Sequence, residues 1–154
     1  MGIEAALVRL TDMSALLETY AEQLAGLVGW LCGLAVADSR VLGTAFVLEF
    51  DVACTAALVT LGVAVTAALI TPGALRDKLA MGAVIVITVQ GCNLVRLTAI
   101  AWSGEIFGTE ALVLVHDWIA PVWMSAVIAI VWTFWWQRLS NQRGHPKRRP
   151  DCVR

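Results

Sequence analysis

Charge is scarce in this sequence. Only 15% of its 154 residues are Asp, Glu, Lys or Arg, whereas 59% are hydrophobic. Soluble domains carry charge on about a quarter of their residues. A chain this small has too much surface for its volume to hide so many apolar side chains from water. An ordinary soluble domain is therefore excluded, and lipid is the indicated medium. Histidine is almost missing, with His116 and His145 alone. Two histidines, one of them in the tail, make a poor metal-ligand set, and no cofactor is implied. The four cysteines, Cys32, Cys54, Cys92 and Cys152, form no C-x-x-C and no close pair, which argues against a disulfide scaffold or a thioredoxin-like motif. The first twenty residues have one base, Arg9, acids at Glu4, Asp12 and Glu18, and no continuous apolar run; they do not read as a cleavable signal peptide. Internal repeats and low-complexity stretches are absent too.

What is present is a set of apolar runs. Residues 1–18 place Ile3, Leu7, Leu10 and Leu17 at helical spacing with charges between them, as in an amphipathic helix at the membrane surface; packing of that face on the protein itself fits the pattern equally well. A first span is expected over 20–37, although Glu22 and Gln23 stand near its start. Phe46 to Asp51 mixes apolar residues with Glu49 and Asp51, in the manner of a re-entrant or interfacial segment. A second span runs over 53–70 and is stopped by Thr71-Pro72-Gly73. A third covers 79–102 and a fourth 111–136. The expected fold is thus all-α: a polytopic membrane bundle of about four helices over 19–137, behind the amphipathic helix and ahead of a basic tail at 138–154.

The bases set the orientation. The segment 138–154 holds six bases and one acid, a net +5, while the rest of the chain is net −6. A basic tail of this kind can bind nucleic acid, but directly after an apolar run it more often marks the cytoplasmic edge of a span; no nucleic-acid partner is expected. With alternating spans, Arg9, Arg76, Lys78 and the six tail bases share one side, and only Arg40 and Arg96 fall on or near the other. The positive-inside rule then places both termini in the cytoplasm of a bacterial-type inner (plasma) membrane. Trp135 and Trp136 are expected at the inner interface, Trp102 and Trp118 at the outer one, and Trp30, Trp123 and Trp132 in helix packing.

Three chemically different residues then reach one depth. At roughly 1.5 Å of rise per residue, Cys54 lies about 27 Å above Pro72, Arg96 about 26 Å above Leu79, and His116 about 30 Å above Trp136. All three approach the outer face of a core about 30 Å thick. A thiol, an imidazole and a guanidinium are the parts of a cysteine acyl-transfer site. Each also has a plain explanation: Cys54 as a small apolar filler, His116 as an interfacial residue, and Arg96 as a snorkelling side chain. Arg96 is the hardest to explain away. An arginine inside a span costs at least about 2.5–3.5 kcal/mol, so it usually has a partner or a task. The chemistry assigns Cys54 as nucleophile, His116 as general acid/base and Arg96 as electrostatic stabiliser, with the last two roles exchangeable. A start-of-helix position for Cys54 would favour the thiolate.

Val52-Ala53-Cys54-Thr55, Asn93-Leu94-Val95-Arg96 and His116 together resemble the Cys…Asn-x-x-Arg…His pattern of the exosortase/archaeosortase family, across roughly 20–136. The resemblance implies a multi-spanning cysteine protease or transpeptidase. Its partners would be substrate proteins with a C-terminal sorting signal, made of a short motif, a transmembrane helix and a basic cluster. This chain would be a short, core-only member; Ala56 stands where the family often has glycine. Asn93 fits an orienting role, with helix-packing glue an equal competitor. Glu49 and Asp51 would orient His116 or read the substrate, or else be solvated loop residues. Cys92 and Cys32 read as packing, and Cys152 as a free thiol on the tail. Two rivals remain from the sequence: a non-enzymatic subunit that holds a partner helix through Arg96 and the outer acids, and a thiol–quinone redox protein, which normally wants paired outer cysteines.

Overall fold

The computed structural model describes residues 2–72 and 74–143. The basic tail beyond Arg143, with Cys152, lies outside the described residues, and so do the side chains on which the amphipathic reading of Ile3, Leu7 and Leu10 depends. The chain is mostly helical. Helix α1 is Gly2–Cys32, followed by three short strands, β1 Ala35–Ala37, β2 Arg40–Leu42 and β3 Val47–Glu49. A 3-10 turn, Ala53–Thr55, leads into α2 Ala57–Ile70, then α3 Leu75–Phe107 and α4 Thr109–Leu114. A π-helical turn, Val115–Ile119, joins α4 to α5 Ala120–Arg143.

The first expected span ends early. Gly33 takes a left-handed φ of 70°, which costs glycine nothing. Gly33 N–H then bonds to Trp30 C=O at 3.3 Å and Leu34 N–H to Gly29 C=O at 2.8 Å, the pair of bonds that closes a helix C-terminus. The surface helix and first span expected separately are therefore one continuous helix, and residues 35–37 belong to a strand. Asp38, also left-handed at φ 55°, makes the β1–β2 turn; aspartate tolerates that region better than most residues. The three strands form an antiparallel meander in the order β1-β2-β3. Its third strand lies within the segment from Phe46 to Asp51 expected to be re-entrant or interfacial.

Two glycines seat this sheet on α3. A Cβ on Gly43 would come within 2.1 Å of the Phe46 ring, and one on Gly104 within 3.0 Å of the same ring. Thr44 N–H also donates to Glu105 Oε2 at 3.0 Å. The meander thereby caps the C-terminal end of α3. Phe46, Leu48 and Phe50 join Val28, Val41, Leu97, Ile100 and Ala101 in one core cluster, against which Cys54, Leu94 and Val115 pack. A second cluster, with Ala67, Ile85, Val89, Met124 and Trp135, joins α2, α3 and α5.

Helix α3 and the run Thr109–Arg138 are long and apolar enough to cross a membrane, while α2, at 14 residues, is a shorter apolar helix. Leu58, Leu61, Leu69, Ile87, Val95, Ile130 and Phe134 all point outward and exposed, a surface that suits lipid rather than water. The tryptophans sort differently from expectation at two positions. Trp135 is only 2% exposed and donates its indole N–H to Thr71 Oγ1 at 3.1 Å. It ties the end of α2 to α5 instead of facing the interface, because a buried indole N–H needs an acceptor. Trp30, expected in packing, is 76% exposed.

Candidate functional site

The site is built on backbone geometry. Asp51 Oδ1 accepts the Cys54 N–H at 2.9 Å, and the Asp51 C=O accepts it at 3.1 Å, so a side chain caps the 3-10 turn. Thr55, fully buried, donates its hydroxyl to Val52 C=O at 2.6 Å and accepts Ala57 N–H at 3.2 Å. Ala56 then reverses the chain with φ 50° and ψ 17°. A left-handed alanine is strained by roughly 1–2 kcal/mol, and the glycine that the family pattern favours at this position would not be. Cys54 thus stands outside α2, in the turn ahead of it. The expected helix-dipole support from the first turn of a span does not apply as drawn.

Two side chains from α3 close on this turn. Asn93 Nδ2 donates to Cys54 C=O at 2.9 Å, and Arg96 Nη2 reaches the same oxygen at 3.5 Å. Asn93 is fully buried. Among the described residues, the buried side-chain polar atoms left without a hydrogen bond are Asn93 Oδ1 and Arg96 Nε. Each such atom costs about 1–3 kcal/mol, and both belong to the two residues that grip Cys54. Unpaired buried polar atoms in a native protein call for an explanation, and a functional task is one.

Below the turn runs a polar relay that sequence reasoning missed. Thr60 Oγ1 donates to Ala56 C=O at 2.7 Å, Gln90 Nε2 donates to Thr60 Oγ1 at 2.9 Å, and Tyr20 O–H donates to Gln90 Oε1 at 2.9 Å. Helices α1, α2 and α3 are thus joined directly beneath the strained residue. The signal was present: Gln90, Asn93 and Arg96 repeat every three residues in an apolar run, one polar stripe on one helix face.

Cys54, Asn93, Arg96 and Asp51 are therefore brought together. Glu49 is not among them, since it pairs with Arg40 across the sheet at 3.0 Å, with both side chains exposed. His116 stands apart as well. It lies on the π-helical turn with its Nδ1 2.7 Å from Asp117 Oδ1. No hydrogen bond joins it to Cys54 or Arg96 among the described residues. Its neighbour Val115 packs on the same core cluster as Cys54, which puts the π turn at the same end of the bundle. Cys92 offers its C=O to Trp123 Nε1 at 3.3 Å, and the Cys32 thiol contacts Thr98 C=O at 3.8 Å. A cavity of about 790 Å³ between α3 and α5, lined by Met81, Ile85, Ile130, Phe134 and Trp135 among others, lies by the N-terminal half of α3 and contains none of these groups.

Burial pushes the Cys54 thiol up; the Asp51 backbone pulls it down, the Asp51 carboxylate pushes it up again, and the Arg96 charge pulls it down. The Cys54 N–H holds the Asp51 carboxyl below its ordinary value. The cap is therefore fully formed above the usual carboxylate range and is lost as pH falls through the lowered value. One consequence is measurable. Asp51→Asn keeps an oxygen to cap the turn but removes the negative charge beside the thiol. With Cys32, Cys92 and Cys152 replaced by serine, the pH profile of Cys54 alkylation should move to lower pH in Asp51→Asn. A move to higher pH would show that the cap, rather than the charge, governs the thiol.

Compared with family models, with curated proteins and with solved structures, the chain matches none. The likeness to the exosortase/archaeosortase pattern rests on its own residues.

Proposed function

We propose that the chain is a short, exosortase-like cysteine peptidase or transpeptidase of a bacterial inner membrane, acting at the outer face on proteins with a C-terminal sorting signal. The observation that carries this reading is the double grip of Asn93 and Arg96 on the Cys54 carbonyl. It fixes a thiol beside a guanidinium, with the spacing Asn-x-x-Arg supplying both donors from one helix face. The Cys54 thiol passes its proton to a general base as its sulfur attacks the scissile carbonyl carbon and forms a C–S bond. Arg96 stabilises the oxyanion while the C–N bond breaks. The leaving amine takes a proton from a general acid, and His116 is our candidate. Water, or an acceptor amine, then releases the acyl group from sulfur.

In the bilayer this reading has four crossing segments: the second half of α1, then α2, α3 and α5. At roughly 21 Å, α2 is shorter than a core of about 30 Å, which sinks the Cys54 turn below the outer surface. Both termini are cytoplasmic. A cysteine introduced at Ser103 should react with an impermeant maleimide in intact cells, and native Cys152 should not. Labelling of Cys152 alone would invert the topology and remove the outward-facing site. The activity itself is tested by asking whether Cys54→Ala, folded in the membrane, still processes a sorting-signal reporter.

A further inference from the structure

Strand β3 is the edge strand of the meander that leads along the chain into the turn of the candidate nucleophile, and its hydrogen-bonding directions follow from the ladder. The β2–β3 register pairs Arg40 with Glu49, Val41 with Leu48 and Leu42 with Val47. Gly43 N–H donates to Phe46 C=O at 2.9 Å, and Phe50 N–H donates to Ser39 C=O at 2.8 Å. In an antiparallel pair, alternate residues exchange both bonds with the partner strand. Phe46, Leu48 and Phe50 therefore spend their backbone groups on β2. The N–H and C=O of Val47 and of Glu49 point the other way, to the open edge. The β-strand that neighbours β3 among the described residues is β2. Val47 is 62% exposed, and the Glu49 carboxylate is engaged with Arg40 of β2.

Five residues beyond Glu49 the same chain reaches Cys54. We infer that the open edge of β3 takes the extended segment preceding a substrate's membrane helix as a fourth strand, and so delivers its scissile bond to Cys54. Such strand addition uses main-chain bonds for affinity and alternate side chains for selectivity. Because the chain between Glu49 and Cys54 bends through the 3-10 turn, an extended segment paired with Glu49 needs at most about five more residues, at about 3.3 Å each, to reach the thiol. The inference deepens the peptidase reading and rests on it for the identity of the strand.

The test is disulfide mapping in membranes. The probe is a reporter that ends in an apolar helix and a Lys/Arg cluster, with single cysteines walked through the ten residues before that helix. It is paired with Val47→Cys, Glu49→Cys or Ala37→Cys, each in a Cys54→Ala chain. Val47 and Glu49 have exposed side chains, so these changes leave the core intact. Val47→Cys should cross-link to alternate reporter positions, because every second side chain shares a face. Glu49→Cys should give the same set displaced by two, and Ala37→Cys, on the opposite edge, should give none. Reaction at adjacent positions alike, equal reaction from Ala37→Cys, or no reaction from either β3 position would overturn the inference. Cleavage is read separately with Cys54 present. An alternating ladder without cleavage would keep the strand site and remove the peptidase, and cleavage without the ladder would do the reverse.

Discussion

Cys54→Ala should reduce processing of a sorting-signal reporter by about a thousandfold or more, the scale on which loss of a covalent nucleophile is felt. The protein should remain folded in the membrane. The reason lies in which atoms of Cys54 hold the turn together: its N–H bonds to Asp51 and its C=O receives Asn93 and Arg96. All of these are backbone groups that alanine retains. Removal of the sulfur therefore deletes the chemistry without deleting the architecture. Cys54→Ser should fall almost as far, since a hydroxyl beside a guanidinium is a much weaker nucleophile than a thiolate. A non-enzymatic subunit that holds a partner helix through Arg96 and the outer acids predicts no loss in either variant. Unchanged processing by Cys54→Ala would leave that rival standing and remove the enzyme.

Arg96→Lys should also fail, with processing down on the order of a hundredfold, the usual cost of removing one oxyanion donor. Arginine places Nη2 at 3.5 Å from the Cys54 carbonyl while its Nε is buried without a hydrogen-bond partner, so one planar fork holds the turn and keeps a further donor unspent. Lysine presents a single point charge on a flexible stem and cannot divide itself in this way. A lysine variant with full activity would show that only the charge is needed. Measuring kcat and KM separately adds a further discrimination. Loss of a group that acts in the transition state lowers kcat, whereas loss of a substrate contact raises KM.

Much of this arrangement was legible in the residues, and the remainder was hidden for physical reasons. The apolar runs marked α2, α3 and α5 because a long unbroken apolar stretch is a composition signal that no local chemistry cancels. The shared depth of Cys54 and Arg96 was readable from helical rise alone, and the structure places them against each other. Depth carries no rotation, however. His116 reaches the same end of the bundle, yet on its π-helical turn it pairs with Asp117. The meander was missed since strands of three residues leave too short a pattern for alternation to be seen among hydrophobic neighbours. The end of α1 depends on Gly33, one glycine among many, and only the following backbone bonds reveal it as a stop. The Tyr20–Gln90–Thr60 relay joins residues far apart in sequence, which no spacing rule connects. Glu49, left open between a site role and a solvated loop residue, is exposed and paired with Arg40 across the ladder, a pairing that only the strand register creates.

The most direct test of the central claim is to look for the covalent intermediate. Wild-type membranes are mixed with the reporter, quenched in acid, and the peptide containing Cys54 is weighed by mass spectrometry with and without hydroxylamine. The account predicts a reporter-derived acyl mass on Cys54 that hydroxylamine removes, as for a thioester, and that is absent in Cys54→Ala. Cleaved reporter accumulating with no adduct on Cys54, or an adduct on Cys32 or Cys92 instead, would contradict it.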